Sequence, residues 1–372
     1  MTDRLDPTAL TPPIPPELRR TVGVGAGAAS GRGMRSAASG DGVTSGVRGV
    51  GQPGKVGLLQ AQLVAGSSGR TGLRGRFAKA PLSVSRPLYI DATRPHHAYL
   101  YTRTTGGGLA ENDRVRQIVD VEDHACATVT TQAATNVHRM NAGCATQWST
   151  FTVGDGAVLE YLPGHTTLFE GSRLVQSTEF RLAASATLLA VETVMLGRLA
   201  RGERHAFDVF SQGLRVEREG RPLLSDITCA VGAGVPGEGE GGMSGGMATS
   251  QSELLFGPWP VWTTMVVVPP AGWGDDAARE HVNRLAGELV SAASKGCAPE
   301  THEKPRVETH VELQEETQPE TQWGVSTLVG DSGVIVRVAG MSTREVNRVA
   351  NVLYDTARRA VLGSGAMDLR TM

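Results

Sequence analysis

Residues 127–140 read "ATVTTQAATNVHRM". The first half of this run alternates as an extended strand does, with Ala127, Val129 and Thr131 on one side and Thr128, Thr130 and Gln132 on the other. Ala125 extends the first side. The unusual feature is polarity, because threonine and glutamine stand where an ordinary strand keeps packing residues. Another run has the same habit, with Leu174, Gln176, Thr178, Phe180 and Leu182 sharing one side. Working outward, "AVLEYL", "TLLAVETVML", "HAFDVF", "GLRVERE", "VWTTMVVV" and "GVIVRV" are further short runs with turn residues between them. Strands at this spacing, with no helices between them, predict a mainly β chain: a sandwich, barrel or solenoid, not a helix-covered parallel α/β sheet.

The chain has 372 residues, 40% of them hydrophobic and 5% aromatic, with 47 glycines and 19 prolines. That supplies ample material for a core, together with many turns. A net charge of −2 argues against a nucleic-acid binder. The charge is unevenly spread, since residues 1–86 carry twelve Lys or Arg against four Asp or Glu. A basic front could attract acidic partners; the plainer reading is a solvated tail.

The chain opens "MTDRLDPTALTPPIPPELRR", without an apolar core for a secretory signal, and contains no apolar run of membrane-spanning length. The four cysteines show no C-x-x-C spacing. A cytoplasmic protein with reduced thiols is expected.

Residues 1–54 read as a disordered Gly/Pro/Ser-rich basic tail ahead of one domain over 55–372. Glycine-rich 232–252 and acidic, proline-punctuated 297–323 read as flexible inserts in that domain. Two helices stand out late in the chain. "DDAAREHVNRLAGELVSAASKG" aligns Val282, Leu285, Ala286, Leu289 and Val290. "STREVNRVANVLYDTARRAVLG" opens with a capping box, Ser342 and Glu345, aligns Val346, Val349, Ala350, Leu353 and Ala357, and can stop at Gly363.

Chemical motifs are sparse. "GVGQPGKV" (49–56) approaches a phosphate-binding loop, but Val56 replaces the magnesium-binding hydroxyl and no buried strand precedes it. His124 and Cys126, two apart in a predicted strand, could offer two metal donors, and so could His96 with His97. Neither pair completes a site, and Cys126 could equally be a small core residue. There is no G-x-S-x-G elbow and no cysteine-nucleophile signature. Carboxylates in "VEDH" (121–124) and "LLAVET" (188–193) could act as acid and base, though on a half-buried strand such groups more often face solvent or pair.

The ordered segments resemble the UreD family of urease accessory proteins, also called UreH. The corresponding motifs are Pro87-Leu88, His97, Gly107-Gly108 with Asp113, Thr131-Gln132, Leu162-Pro163 with Phe169, and Gly197-Arg198 with Gly202-Glu203. The resemblance runs from about Lys55 to Asp226 and resumes in "NVLYDTARRAVLG". The chain departs from it where Glu111 and Asn112 replace two glycines ahead of Asp113, and where Val129 replaces a leucine.

The resemblance implies an elongated β-helix-like or stacked-sheet fold with two α-helices in the C-terminal half. It also implies a non-enzymatic assembly role: with UreF and the GTPase UreG, supporting nickel insertion into apo-urease. No cofactor would be held permanently, and nickel would be in transit. Asp113 and Glu192 are candidate polar passage groups and His97 an entry donor. Thr128, Thr130 and Gln132 either line such a passage or decorate a solvent face. Arg198 and Glu203 could anchor a partner or stabilise their turn, and Arg348 and Tyr354 could join an interface. The rival expectation is a β-solenoid carbohydrate-active enzyme using paired carboxylates, which the scarcity of Trp and Tyr disfavours. An autonomous nickel store would want many more His and Cys.

Overall fold

A computed structural model describes residues 54–233, 251–271, 276–297 and 321–367. The expected tail before Gly54 and the centres of both expected inserts (234–250 and 298–320) lie outside the described residues.

The chain coils between two sheets. β1 (Val56–Ala65) and β2 (Thr71–Lys79) form a hairpin in the first sheet, and β3 (Leu82–Val84) with β4 (Ala98–Thr104) crosses to the second. β5 (Arg114–Val121) returns to the first sheet. β6 (Cys126–Thr131) and the short β7 (Thr135–Val137) lie in the second, followed by β8 (Ala145–Val153) in the first. The next coil repeats this with β9 (Val158–Leu162), β10 (Thr166–Leu168) and β11 (Arg173–Leu182). β12 (Thr187–Met195) and β13 (Val209–Arg218) complete the last one. Each coil therefore adds a parallel strand to each sheet: β1, β5, β8, β11 and β13 in one, and β4, β6, β9 and β12 in the other.

β14 (Arg221–Val231) closes the first sheet as an antiparallel edge. A short helix α1 (Gln251–Phe256) follows, then β15 (Val261–Val268), α2 (Asp276–Cys297), β16 (Thr321–Thr327), β17 (Val334–Gly340) and α3 (Thr343–Leu362). The last three strands extend the second sheet in the order β12-β15-β17-β16. The fold is thus mainly β, a solenoid-like stack, with three helices among the described residues, all in the C-terminal half.

Turns explain the stacking. Val121–Ala125, Val153–Ala157 and Leu182–Ala186 are three superposed corners. In each, the alanine N–H donates to the second residue of its own corner: Ala125 to Glu122, Ala157 to Gly154 and Ala186 to Ala183. Successive corners are tied by Glu122 N–H to Leu63 O, Gly154 N–H to Val121 O and Ala183 N–H to Val153 O, at 2.8–2.9 Å. Side chains continue the ladder: Asp123 Oδ1 accepts from Asp155 N–H, and Asp155 Oδ1 from Ser185. The corner backbone is thereby satisfied coil upon coil.

Sequence expectation and structure differ in detail. "HAFDVF" and "GLRVERE" are not separate strands; both end in the continuous β13. His124 sits in a corner with φ 61°, outside the strand, so it is no donor partner for Cys126, whose thiol turns to the His124 carbonyl. Ser252 and Thr321, placed at the rims of the expected inserts, are buried parts of α1 and β16. The expected face of α2 is rotated. Leu285, Leu289, Ala292 and Ala293 are buried whereas Val290 is exposed, and the Val282 side chain lies outside the described residues. Every expected apolar position of α3 is buried. Its Ser342 hydroxyl accepts from Glu345 N–H, and Gly363 caps its end at φ 70°.

Two apolar clusters fill the space between the sheets. One, near the corners, stacks Phe151 on Phe180 at 5.1 Å with Tyr161 beside them. The other, at the opposite end, gathers Leu109, Val115, Leu174, Leu196, Phe207, Phe210 and Phe256. A third cluster packs α2 and α3 onto the outer face of the second sheet. Each large side chain sealed in this way stabilises the fold by about 1.5–3 kcal/mol.

Candidate functional site

Between the two inter-sheet clusters the side chains turn polar. In the first sheet Gln147, Gln176 and Gln212 share one register row across β8, β11 and β13, and Gln117, Ser149 and Thr178 share the next. Alternation fixes their direction: Ala145, Phe151 and Val153, which flank Gln147 and Ser149 at even spacing, all face inward. The second sheet answers with Thr131, Thr166 and Glu192. Together they enclose a cavity of about 50 Å³, reaching from Leu82, Thr102 and Thr104 near one edge to Glu192 and Gln212. That is room for roughly three or four waters.

Among the described residues, Glu192 is the only carboxylate lining this seam. The Thr178 hydroxyl donates to its Oε1 at 2.7 Å, and the Gln212 amide to its Oε2 at 3.0 Å. Burial raises its pKa above the ordinary carboxylate value, against the lowering effect of those two hydrogen bonds. Gln117 Nε2 and Gln176 Oε1 are buried without a partner among the described residues, leaving a donor and an acceptor open to water or another small ligand. A paired-carboxylate hydrolase would need a second carboxyl across the site, and the seam provides none among the described residues.

The other expected passage residues stand elsewhere. Asp113 is buried outside the seam, accepting from Lys55 N–H at 2.7 Å and Ala110 N–H at 2.9 Å, with the Lys55 ammonium at 3.3 Å. It fastens the start of β1 to the loop before β5. The replaced glycines ahead of it are compensated locally. Glu111 accepts from the N–H groups of Asn141, Ala142 and Gly143, and Asn112 takes a left-handed φ of 63°.

Thr128 and Thr130 point away from the seam, because Ala127, Val129 and Thr131 take the inward side of β6. Thr130 donates to Leu162 O, and Gln132 is exposed. Of the opening stretch, Thr131 and Thr135 line the cavity. Arg198 and Glu203 pair with each other, and the Arg198 guanidinium lies 4.4 Å from the Phe169 ring centre, so both are engaged within their turn. Gly197 is needed there: its φ is 139°, and an added Cβ would lie 2.3 Å from Glu203 O. Arg348 pairs with Glu345 on α3.

His97 and Tyr354 belong to a buried network on the opposite face of the second sheet. His97 Nε2 lies 2.8 Å from the Thr128 hydroxyl and 3.4 Å from Glu160 Oε1. The Tyr354 hydroxyl donates to Glu160. Arg358, fully buried at 0% exposure, donates to Glu160 at 3.0 Å and to Asp91 at 2.8 Å. Burial, then the charges of Arg94 and Arg358, hold His97 down at about 3, so it is neutral near pH 7. A neutral, enclosed imidazole beside a guanidinium is a poor point of entry for a cation. Tyr354 faces the sheet and cannot present itself to a partner.

Sequence reasoning missed Asp91, Glu160 and Arg358, whose partners lie up to 267 residues away in sequence. It also missed the glutamine row. The signal was available, since Gln176 and Thr178 interrupt an otherwise apolar side flanked by Leu174 and Phe180. No group of three or more His, Cys, Asp or Glu able to hold a metal ion converges among the described residues. Among those residues, too, no helix is long and apolar enough to cross a membrane.

A coiled pair of sheets with a polar seam across its core, flanked by packed helices, defines a β-solenoid-like protein with an internal polar cavity. The family model described as UreD urease accessory protein matches residues 57–372. The chain is 40% identical over 320 residues to Urease accessory protein UreD 2 of Streptomyces griseus subsp. griseus, covering 86% of this chain and 95% of that protein. It is 31% identical over 314 residues to Urease accessory protein UreD 2 of Methylorubrum extorquens, covering 83% and 88%. The chain belongs to the UreD family of urease accessory proteins, and with that membership goes a role in urease maturation.

Proposed function

We propose that this protein is a scaffold which, with UreF and UreG, passes nickel toward apo-urease through the seam between its sheets, without itself making or breaking bonds. The observation that carries this reading is the transverse row of Gln147, Gln176 and Gln212 ending on Glu192, set between two dry apolar clusters. An apolar core would be the stable default at these positions, since polar groups cost free energy when buried without partners. Amide oxygens, hydroxyls and one carboxylate are hard, weak donors for a divalent cation. They would exchange it quickly, where thiolates or converging imidazoles would trap it. Deprotonated Glu192 would supply the attractive charge.

The test is Glu192→Gln, which removes the charge and keeps hydrogen-bonding capacity. The variant should co-purify with UreF and apo-urease as the parent does, while urease activation at limiting nickel falls about tenfold or more, the scale of weakening one missing charge-assisted contact produces. Unchanged activation would reject the passage.

A further inference from the structure

One flank of the molecule carries uncompensated positive charge. It is formed where β2, the end strand of the first sheet, lies beside β3, the end strand of the second. Arg76, Lys79, Arg86 and Arg103 are exposed there, and none has a hydrogen-bond or ion-pair partner among the described residues. By contrast, neighbouring Arg74 is taken up by Glu122 at 2.8 Å, and Arg70 stacks 3.5 Å over the Tyr89 ring. Between Gly54 and Ala110 the single acidic residue is Asp91, which is buried and committed to Arg358. Asp91 is thus not available to these four side chains, and the nearby Glu122 is already taken by Arg74.

Two more features mark it. Phe77, in the middle of β2, is 51% exposed and shares its side of the strand with Lys79, opposite Gln60 and Leu58 of β1. β2 pairs only with β1, so its outer N–H and C=O groups have no ladder partner among the described residues. An exposed edge strand is a template for one more strand.

We propose that this flank is a docking site for an extended, acidic segment of another protein, which adds to the β2 edge, sets carboxylates on its two faces against Lys79 and Arg76, and covers Phe77 on the Lys79 side. The main chain would supply pairing and the charges would select the partner, speeding association. A nucleic acid is the poorer fit, because the chain as a whole is net −2 and four dispersed cations beside an apolar side chain do not trace a phosphate backbone. Leu82 and Thr104, on β3 and β4 of the same flank, line one end of the seam, so a segment docked here would sit beside that end.

The test measures fluorescence anisotropy of a fluorescein-labelled peptide of roughly ten residues built from Glu-Glu-Thr-Thr repeats, which puts carboxylates on both faces of an extended strand, with the full-length protein at low salt; strands of that length suit an edge. A Gln/Thr peptide of equal length is the neutral control, and a short DNA duplex is the competitor. The acidic peptide should bind at least about tenfold tighter than the neutral one, and Arg76→Glu with Lys79→Glu should remove most of that difference, as screened charge pairing predicts. Phe77→Ser should weaken both peptides. Arg215→Glu, an exposed site on the outer face of the first sheet, should change nothing, and circular dichroism of each variant confirms its fold. Equal binding of the two peptides, indifference to the charge reversal, or displacement of the acidic peptide by DNA at lower concentration than by unlabelled acidic peptide would each overturn the proposal. None of these readouts involves nickel or urease.

Discussion

Arg358 is the side chain on which the buried network behind the second sheet converges. It joins α3 to β9 and to the loop before β4 through Glu160 and Asp91, all at 2% exposure or less. Truncating one member of such a group strands the others in a dry setting, so Arg358→Met should cost about 3–5 kcal/mol, read as a lower urea midpoint. Acid should act through the same network. His97 is held at about 3 against an ordinary 6.5. The unfolded chain therefore binds the extra proton first, and stability falls as pH drops from 6.5 toward 3, by up to about 1.4 kcal/mol per unit. Asp91 follows at lower pH. Burial pushes its carboxyl up, but the hydrogen bonds from Thr93 and Arg358 outweigh this and bring it to about 2, so its contribution is lost only below the ordinary carboxylate range. His97→Asn should flatten the dependence of the thermal midpoint between pH 6.5 and 4.5. None of this was legible in the sequence. Nothing local reveals that a position on α3 faces a carboxylate 198 residues earlier.

At the scale of elements, periodicity was readable and destination was not. The two sides of β6 were correctly separated by alternation, yet the side facing the seam is the one holding Thr131, with Thr128 and Thr130 on the other. Ala127 and Val129 mark the inward side, and reading Thr128 and Thr130 as passage residues set that apolar signal aside. The capping box of α3 was legible because capping is local. Ser342→Ala should cost about 1 kcal/mol, visible as a small loss of thermal stability. The stacked corners also left a trace. Val121…Ala125, Val153…Ala157 and Leu182…Ala186 recur 32 and 29 residues apart, a solenoid period that a search for short runs overlooks. Gly197→Ala should be worse tolerated than a cap loss. Its φ of 139° and the 2.3 Å approach of Glu203 O leave no place for a methyl group, so the Arg198–Glu203 turn should open, with faster proteolysis there.

Across the whole molecule the polar seam divides what would otherwise be one continuous core. The family's motifs at Asp113, Arg198 and Glu203 hold loops and turns at the ends of the coils, whereas the polar cavity is lined by residues such as Gln147 and Gln176, which fall outside those motifs. This is why the fold could be anticipated from the sequence and the site only at Glu192. Only the parallel register brings three glutamines from strands roughly thirty residues apart into one row. Filling that row tests the account directly. Urease would be purified from cells whose only copy of this protein carries Gln147→Leu and Gln176→Leu, and its nickel content per active site measured. Both replacements join the flanking apolar clusters, so the protein should stay folded and still co-purify with urease. The account predicts that nickel content then falls several-fold. Fully loaded urease from those cells would contradict it.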